Sequence, residues 1–199
     1  RPGDEFALAT FAGEDTNIDV PFTEDLAALR ESVDSWEGYG KTALHDAVAL
    51  LPRISNDSRN VKRAAVLITD GVDNASAMTA AEAREVVRQA QLPVYVFGLE
   101  SGDPYAPPTS SDGIVSYADM LNLLAHMTGG KYFAIASPDD MKEACATVAE
   151  DLRYQYVLGF ETQGTGKNAF RSIQVEVRNR KVKQVLSRKG YQGYPPAVK

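Results

Sequence analysis

A short stretch in the first quarter of the chain could bind a phosphate. Gly40, Lys41 and Thr42 match the end of a nucleotide-binding loop. Further along, an apolar run ends at Asp70, and such a run often precedes the metal-binding aspartate of nucleotide hydrolases. Ser35 stands where the loop needs its first glycine, and a helical pattern precedes Gly40 where a buried strand is required. A Mg-dependent nucleotide hydrolase using Lys41 and Thr42 is therefore the less favoured alternative.

Thr42 and Asp70 can instead serve as oxygen ligands of a divalent cation. Asp70 ends a predicted strand and Thr42 opens a predicted helix, so both are expected at the carboxyl-end edge of a sheet, where ligands bind. Hard cations such as Mg²⁺ and Mn²⁺ prefer oxygen ligands, and one held by few protein charges can accept a partner's carboxylate. Two structural roles stay open: a helix cap for Thr42 and an Asp-Gly turn for Asp70.

The composition of the chain is that of an ordinary globular protein. Its 199 residues, 44% hydrophobic and 24% charged, suffice for one domain with a sizeable core. The net charge of −6 argues against a nucleic-acid-binding protein, which should carry a basic face. Cys145 is the one cysteine, so it cannot form an internal disulfide, and it is expected on the apolar side of a helix. The sequence shows neither a signal peptide nor an apolar run of about 20 residues.

Hydrophobic periodicity predicts strands and helices that alternate along the chain. Two strands of a hairpin, Phe6–Phe11 and Ile18–Phe22, come first, and Pro21 argues for an edge position of the second. Later apolar runs such as Ala65–Thr69 predict strands buried on both faces, separated by amphipathic helices. This alternation is typical of a doubly wound parallel sheet. A polar loop over residues 101–116 is expected at the ligand-binding edge.

The end of the chain has a different pattern. Three strands are predicted within "YQYVLGF", "FRSIQVEVR" and "KQVLSRKGY". Ile173, Val175 and Val177 alternate with polar residues, which indicates a sheet with one face in water. We therefore divide the chain into a domain over residues 1–153 and a C-terminal β-strand extension over residues 154–199 that packs on the same domain.

The order of these motifs resembles the von Willebrand factor type A domain. The resemblance covers roughly residues 4–153 and is carried by "GKTALHDAV", "AVLITDGVDN", "VYVFGL" and "GGKYFAI". The tail, "YVLGF…FRSIQVEV…SRKGY", is similar to the extension of a bacterial, mostly acidobacterial, subgroup of related proteins. The resemblance implies a three-layer α/β sandwich, with a mostly parallel, Rossmann-like sheet and an antiparallel edge strand.

The same resemblance implies protein binding without catalysis, as in cell adhesion, at a metal-ion-dependent adhesion site. Thr42 matches the family's metal-binding threonine and Asp70 its metal-binding aspartate, with Mg²⁺ or Mn²⁺ as the cation. It also implies a secreted protein, in the extracellular space or the cell envelope, including the periplasm.

One part of the family pattern is missing. The family's first strand carries Asp-x-Ser-x-Ser, which supplies most of the direct metal ligands, and no such motif precedes Phe6. "DNASAM", Asp73–Met78, is the nearest imitation, in the wrong place. The lost strand lies between those matching Phe6–Phe11 and Ala65–Thr69, so two unpaired edges are expected. We expect an N-terminally incomplete piece of a longer protein that binds metal weakly or not at all. The alternative is a strand supplied by the tail or a second molecule.

The favoured hypothesis is a non-enzymatic protein-binding module in which a partner's Asp or Glu completes the metal site. Its contact surface is predicted at the loops of the carboxyl-end edge: Gly40, Lys41, Gly71, Asp73, Asp103 and Tyr105. The alternative is a metal-independent structural or assembly domain, whose tail strands Tyr154–Phe160 and Phe170–Arg178 pair with a neighbouring domain or a second copy. Neither nucleic-acid binding nor insertion into a membrane is expected.

Overall fold

Strands and helices alternate along the chain. The computed structural model describes residues 2–13, 15–36, 40–70, 72–89, 92–99, 117–160, 170–178, 182 and 184–192. The elements within them are β1 (Phe6–Ala12), β2 (Asp15–Thr23), α1 (Leu26–Asp34), α2 (Leu44–Ser55), β3 (Ala65–Thr69), α3 (Ala80–Gln89), β4 (Val94–Leu99), α4 (Tyr117–Thr128), β5 (Tyr132–Ile135), α5 (Pro138–Arg153), β6 (Phe170–Ser172) and β7 (Gly190–Gln192). None of the described helices combines the length and the apolar character needed to cross a bilayer.

A parallel sheet of three strands forms the centre of the fold. The strand order is β3-β4-β5, and the register pairs Ala65 with Val94 and Val96 with Tyr132. Every residue of β4 except Leu99 is buried, because helices cover both faces of this central strand. The α/β fold class predicted from the alternating pattern is therefore confirmed.

Two apolar clusters fill the two faces of this sheet. The first brings α2, α3 and α4 against one face and consists of Leu44, Val48, Leu67, Val87, Val94, Val96, Leu121, Leu124 and Ala125. The second places α5 against the opposite face and consists of Tyr95, Phe97, Ile135, Ala144 and Val148. Helices, sheet and helix thus form three layers. The prediction for Cys145 is wrong: it is exposed, since α5 turns Ala144 and Val148 inward instead.

The first two strands form a hairpin of their own. β1 and β2 pair antiparallel, with irregular register between Phe6 and Ala9, and both strands extend beyond their predicted limits. β2 pairs with β1 alone among the described strands, so Pro21 occupies an edge strand, as predicted.

The two strand edges that were expected to be unpaired, on β1 and β3, are unpaired within the described part of the chain. Neither β1 nor β3 has a second strand neighbour there. The Ala65 amide donates to the Pro93 carbonyl on the β4 side, so the alternating amides of Val66 and Ile68 face the open edge. The side chains of Val66 and Ile68 are 49% and 51% exposed. β3 therefore lacks cover along one edge and over part of one face.

The tail differs from the three predicted strands. Among the described residues it contains one antiparallel pair, β6 with β7, three residues each. Residues 173–178 carry the expected side-chain alternation but form no strand there, and Tyr154–Phe160, also predicted as a strand, forms none either. Side-chain alternation alone does not make a strand, because its stability comes from a paired neighbour.

Gly129 allows the tail to pack closely against the end of α4. The Lys189 amide donates to the Met127 carbonyl at 3.2 Å, which satisfies a carbonyl at the helix terminus. Gly129 has a φ of 86°, and a Cβ there would lie 2.7 Å from backbone atoms of Ser187 and Arg188. The tail therefore contacts the preceding domain directly, while the division of the chain at residue 153 stays a prediction.

Candidate functional site

The two predicted metal ligands lie at the carboxyl-end edge of the sheet. Asp70 follows the last residue of β3 and is exposed, and Thr42 precedes α2 and is partly exposed. Asp70 Oδ1 accepts a hydrogen bond from the Val72 amide at 3.1 Å, which is an Asx turn. The turn role considered from the sequence is thus present, and Asp70 Oδ2 makes no hydrogen bond with the described residues.

A loop from a distant part of the chain holds Thr42 by its backbone. The Thr42 amide donates to Asn74 Oδ1 at 2.7 Å, and its carbonyl accepts from the amides of Asn74 and Ala75 at 3.0 and 3.2 Å. The helix-cap role proposed for Thr42 is wrong, because the N-cap position belongs to Ala43 and makes no side-chain hydrogen bond. The Thr42 hydroxyl therefore does not accept a hydrogen bond as an N-cap.

The same loop, residues 73–78, caps α2 from outside the helix; we call it the capping loop. Asp73 Oδ2 accepts from the His45 amide at 2.9 Å, and Ser76 Oγ accepts from the Asp46 amide at 3.2 Å. These amides belong to the first helical turn, whose N–H groups have no partner within a helix. "DNASAM", which imitates a metal motif in the sequence, therefore caps a helix.

The Asp46 side chain in turn accepts hydrogen bonds from the capping loop. Its two carboxylate oxygens accept from the amides of Ala77 and Met78, each at 2.9 Å. Its position in the first turn of α2 also places a negative charge at the positive end of the helix dipole. The capping loop and the start of α2 therefore fix each other, and Thr42 lies between them.

Asp73 was predicted to contact a partner, but its side chain makes its hydrogen bonds within the protein. Its side chain is 12% exposed, and Oδ2 accepts a hydrogen bond from Ser76 Oγ. His45 Nδ1 lies 3.3 Å from the same oxygen. Partial burial favours the neutral acid, but the hydrogen bonds from Ser76 and the His45 amide outweigh it and lower the pKa of Asp73.

The lowered pKa of Asp73 predicts an acid-sensitive fold. A depressed folded-state pKa contributes stability that is present above the unfolded value, ordinarily 3.8, and is lost as pH falls through the folded value. Below about pH 4, we expect the urea midpoint of the wild type to fall more steeply with decreasing pH than that of Asp73→Asn. Asp57→Asn, at an exposed position, is the control and should follow the wild type. Parallel curves for wild type and Asp73→Asn would contradict this assignment.

A polar depression lies beside these groups. It has a volume of about 460 Å³ and is lined by Gly13, Lys41, Asp73, Asn74, Ala75 and Ser76. The Gly13 amide donates to the Lys41 carbonyl at 2.6 Å, so Gly13, just after β1, forms part of one wall. Gly40, with a φ of 80°, precedes Lys41, and both are exposed.

The structure brings some of the predicted residues together and leaves others untested. Lys41 and Asp73 line the same depression. Gly71, Asp103 and Tyr105 lie outside the described residues. The described residues contain no group of three or more His, Cys, Asp or Glu side chains arranged to hold a metal ion. Asp46, Asn74 and Ser76 were not predicted; the signals that could have found them are an acid in a first helical turn and polar residues in a turn-rich stretch.

Comparison with known proteins confirms the family resemblance. Residues 1–73 match the family model of the von Willebrand factor type A domain. The conserved hypothetical protein BatB from Bacteroides thetaiotaomicron is 21% identical, with 77% of this chain and 81% of that one covered and a TM-score of 0.57. An aerotolerance-related membrane protein from Bacteroides fragilis, carrying multiple mutations to serines, is 22% identical over 76% and 80% of the two chains, with a TM-score of 0.56. These structures share the fold, and no curated protein matches the sequence.

Proposed function

We propose that the chain is a non-enzymatic protein-interaction module that binds its partner at the carboxyl-end edge of the sheet. The observation that carries this proposal is the contrast between a fixed backbone and available side chains. The backbone groups of Thr42 make three hydrogen bonds, one of them to the Asn74 side chain. The Thr42 hydroxyl caps no helix, and Asp70 Oδ2 makes no hydrogen bond with the described residues. Side chains presented by a rigid scaffold bind at low entropic cost.

The chemistry of this edge fits a hard cation as a bridge to the partner. Thr42 and Asp70 would contribute one hydroxyl and one carboxylate, which are the oxygen ligands that Mg²⁺ and Mn²⁺ prefer. Two side chains fall well short of the roughly six ligands of an octahedral site, so affinity in this chain alone is expected to be weak. Water and a carboxylate from a partner's Asp or Glu would supply the rest, and Lys41 lies at the rim to attract that carboxylate.

Calorimetric titration with Mn²⁺ tests the cation role directly. We expect weak, saturable binding by the wild type, a loss of at least about tenfold in affinity in Asp70→Ala, and no change in Asp57→Ala. Asp57 is the matched control because it is exposed and lies away from the carboxyl-end edge, just after α2. Absence of Mn²⁺ binding by the wild type, or equal binding by Asp70→Ala, would overturn the cation role.

Titration with Mg-ATP separates this proposal from the hydrolase alternative. A phosphate-binding loop follows a buried strand, whereas the element before Gly40 is helix α1. We therefore expect no ATP binding. Binding that disappears in Lys41→Ala would support the nucleotide hydrolase instead.

The proposed location is the cell envelope. It rests on the family resemblance and on the description of one structural relative, from Bacteroides fragilis, as a membrane protein. Fractionation of cells that express the tagged full-length protein would test it, and recovery in the cytoplasm would contradict it.

The assembly domain is a second candidate, because apolar groups are exposed away from the carboxyl-end edge. Val66 and Ile68 are exposed on β3, whose outer edge has no strand neighbour among the described residues, and several large apolar side chains follow α5. Exposed strand edges and apolar patches of this kind mark sites of association. Self-association measured by sedimentation should then persist in EDTA, whereas cation-bridged binding should not.

A further inference from the structure

The hydrogen bonds of Asn74 fix the orientation of its side-chain amide. Its Oδ1 accepts from the Thr42 amide at 2.7 Å, and only the oxygen of a side-chain amide can face an N–H donor in this way. The Nδ2 group, which carries two N–H donors, therefore occupies the other branch. It donates to none of the residues that the structure describes, and Asn74 is exposed. Two oriented donors are thus available to a ligand.

The backbone of Asn74 is held by the same neighbour. Its amide donates to the Thr42 carbonyl at 3.0 Å, so Asn74 and Thr42 are joined by one bond from the side chain and one from the backbone. A side chain fixed at both its backbone and its Oδ1 has lost most of its rotational freedom before any ligand arrives. Binding through Nδ2 therefore carries a low entropic cost.

Lys41 supplies a positive charge to the depression that Asn74 also lines. Its carbonyl accepts from the Gly13 amide at 2.6 Å, which fixes the backbone beneath the side chain. Its ammonium group forms no ion pair with the described residues, and the side chain is exposed. Lys41 and Asn74 thus add a free charge and two free N–H donors to one polar depression.

Asp73 lines the same depression without cancelling these donors. Its carboxylate accepts from the His45 amide at 2.9 Å, from the Ser76 amide at 3.2 Å and from Ser76 Oγ. The side chain is 12% exposed, so its hydrogen-bonding capacity is used within the protein. Its negative charge nevertheless stays close by, and this charge limits how much negative charge a ligand can bring.

These groups fit a carboxylate better than a phosphate. A carboxylate has two acceptor oxygens, one for the Asn74 amide and one for the Lys41 ammonium, and its single charge matches that of one lysine. A phosphate group carries a charge of about −1.5 to −2 at pH 7 and would be repelled more strongly by Asp73.

We propose that Asn74 is a specificity-determining residue of the binding edge, which donates through Nδ2 to an acidic side chain of the partner while Lys41 neutralises its charge. The proposal rests on the protein-binding function proposed above and names the group that is recognised. Because both donors belong to the protein, recognition of the acid does not require a cation.

Titration with sodium acetate, followed by NMR in metal-free Tris buffer at constant ionic strength, tests this site. The backbone amide signals of Gly13 and Ala75 should shift saturably in the wild type. Asn74→Asp and Lys41→Ala should each weaken acetate binding by at least about tenfold. Lys62→Ala is the matched control, because Lys62 is exposed and precedes β3 at the opposite end of the strands, and it should bind as the wild type does. Absence of a saturable shift in the wild type, or equal binding by Asn74→Asp, would overturn the proposal.

The stability of the Asn74 variants separates recognition from a purely structural role. An aspartate can still accept from the Thr42 amide, so Asn74→Asp should keep a urea midpoint close to that of the wild type while losing acetate. Asn74→Leu removes the acceptor and should lower the midpoint. If Asn74→Asp loses stability to the same extent as Asn74→Leu, the residue acts on the fold alone. Inorganic phosphate that binds more tightly than acetate would overturn the carboxylate as the ligand.

The cation role and this proposal fail separately. Asp70→Ala should bind acetate as the wild type does, since the acetate titration contains no divalent cation. Loss of acetate binding in Asp70→Ala would overturn recognition by Asn74 and Lys41 alone. Failure of the Mn²⁺ titration would leave the acetate result unchanged.

Discussion

Replacing Leu44 by Ala is expected to lower the free energy of unfolding by about 2–5 kcal/mol. Leu44 is 1% exposed and begins α2 within the apolar cluster that joins three helices to the sheet. Its loss removes buried apolar surface and leaves a cavity that the surrounding β3 and β4 side chains cannot close completely. Urea unfolding followed by circular dichroism measures the change directly.

Leu26→Ala is the matched control for this prediction. Leu26 also begins a helix, α1, but its side chain is 50% exposed, so its replacement should cost less than about 1 kcal/mol. Equal losses in the two variants would mean that the cluster around Leu44 is not the core described above. Because Leu44 lies two residues from Thr42, Leu44→Ala should also weaken Mn²⁺ binding if the cation role is correct.

Asp46→Ala is expected to have the second largest effect, about 2–4 kcal/mol of lost stability. The variant leaves the Ala77 and Met78 amides without acceptors, and removes a favourable charge from the helix N-terminus. Asp46→Asn should cost less, because one amide oxygen can still accept. The unfolding free energy from urea titration measures both variants.

The control for Asp46 is Asp57→Ala. Asp57 is exposed, and its side chain caps no element described above, so the change should fall within about 0.5 kcal/mol. If Asp46→Ala and Asp57→Ala unfold at the same urea concentration, the capping loop does not stabilise α2. Crystallography of Asp46→Asn would then show whether water replaces the lost contact.

The parallel sheet could be predicted from the sequence because its determinants are local. Val94–Leu99 is continuously apolar, and α2 shows Leu44, Ala47 and Val48 at helical spacing, so each element carries its own signal. The tail could not be predicted in this way. Tyr154–Phe160 has strand-like composition, but whether it pairs depends on a neighbour that its own residues do not specify.

The candidate site was predictable in part for the same reason. Asp70 stands out because it ends a buried strand, a local feature. Asp73 carries an equally visible carboxylate, yet it caps a helix that begins 29 positions earlier in sequence, at Leu44. Hydrogen bonds between such distant segments leave no periodic signal, so the inward role of Asp73 and the reciprocal role of Asp46 emerged only from the structure.

The capping loop links the candidate binding edge to local opening of the fold. The hydrogen bonds that fix the backbone of Thr42 and those that cap α2 come from the same residues, 73–78. When this loop opens, Thr42 therefore loses its fixed position and the first turn of α2 loses its acceptors together. A partner bound at this edge would hold the loop closed, so hydrogen exchange at the Ala77 and Met78 amides would slow.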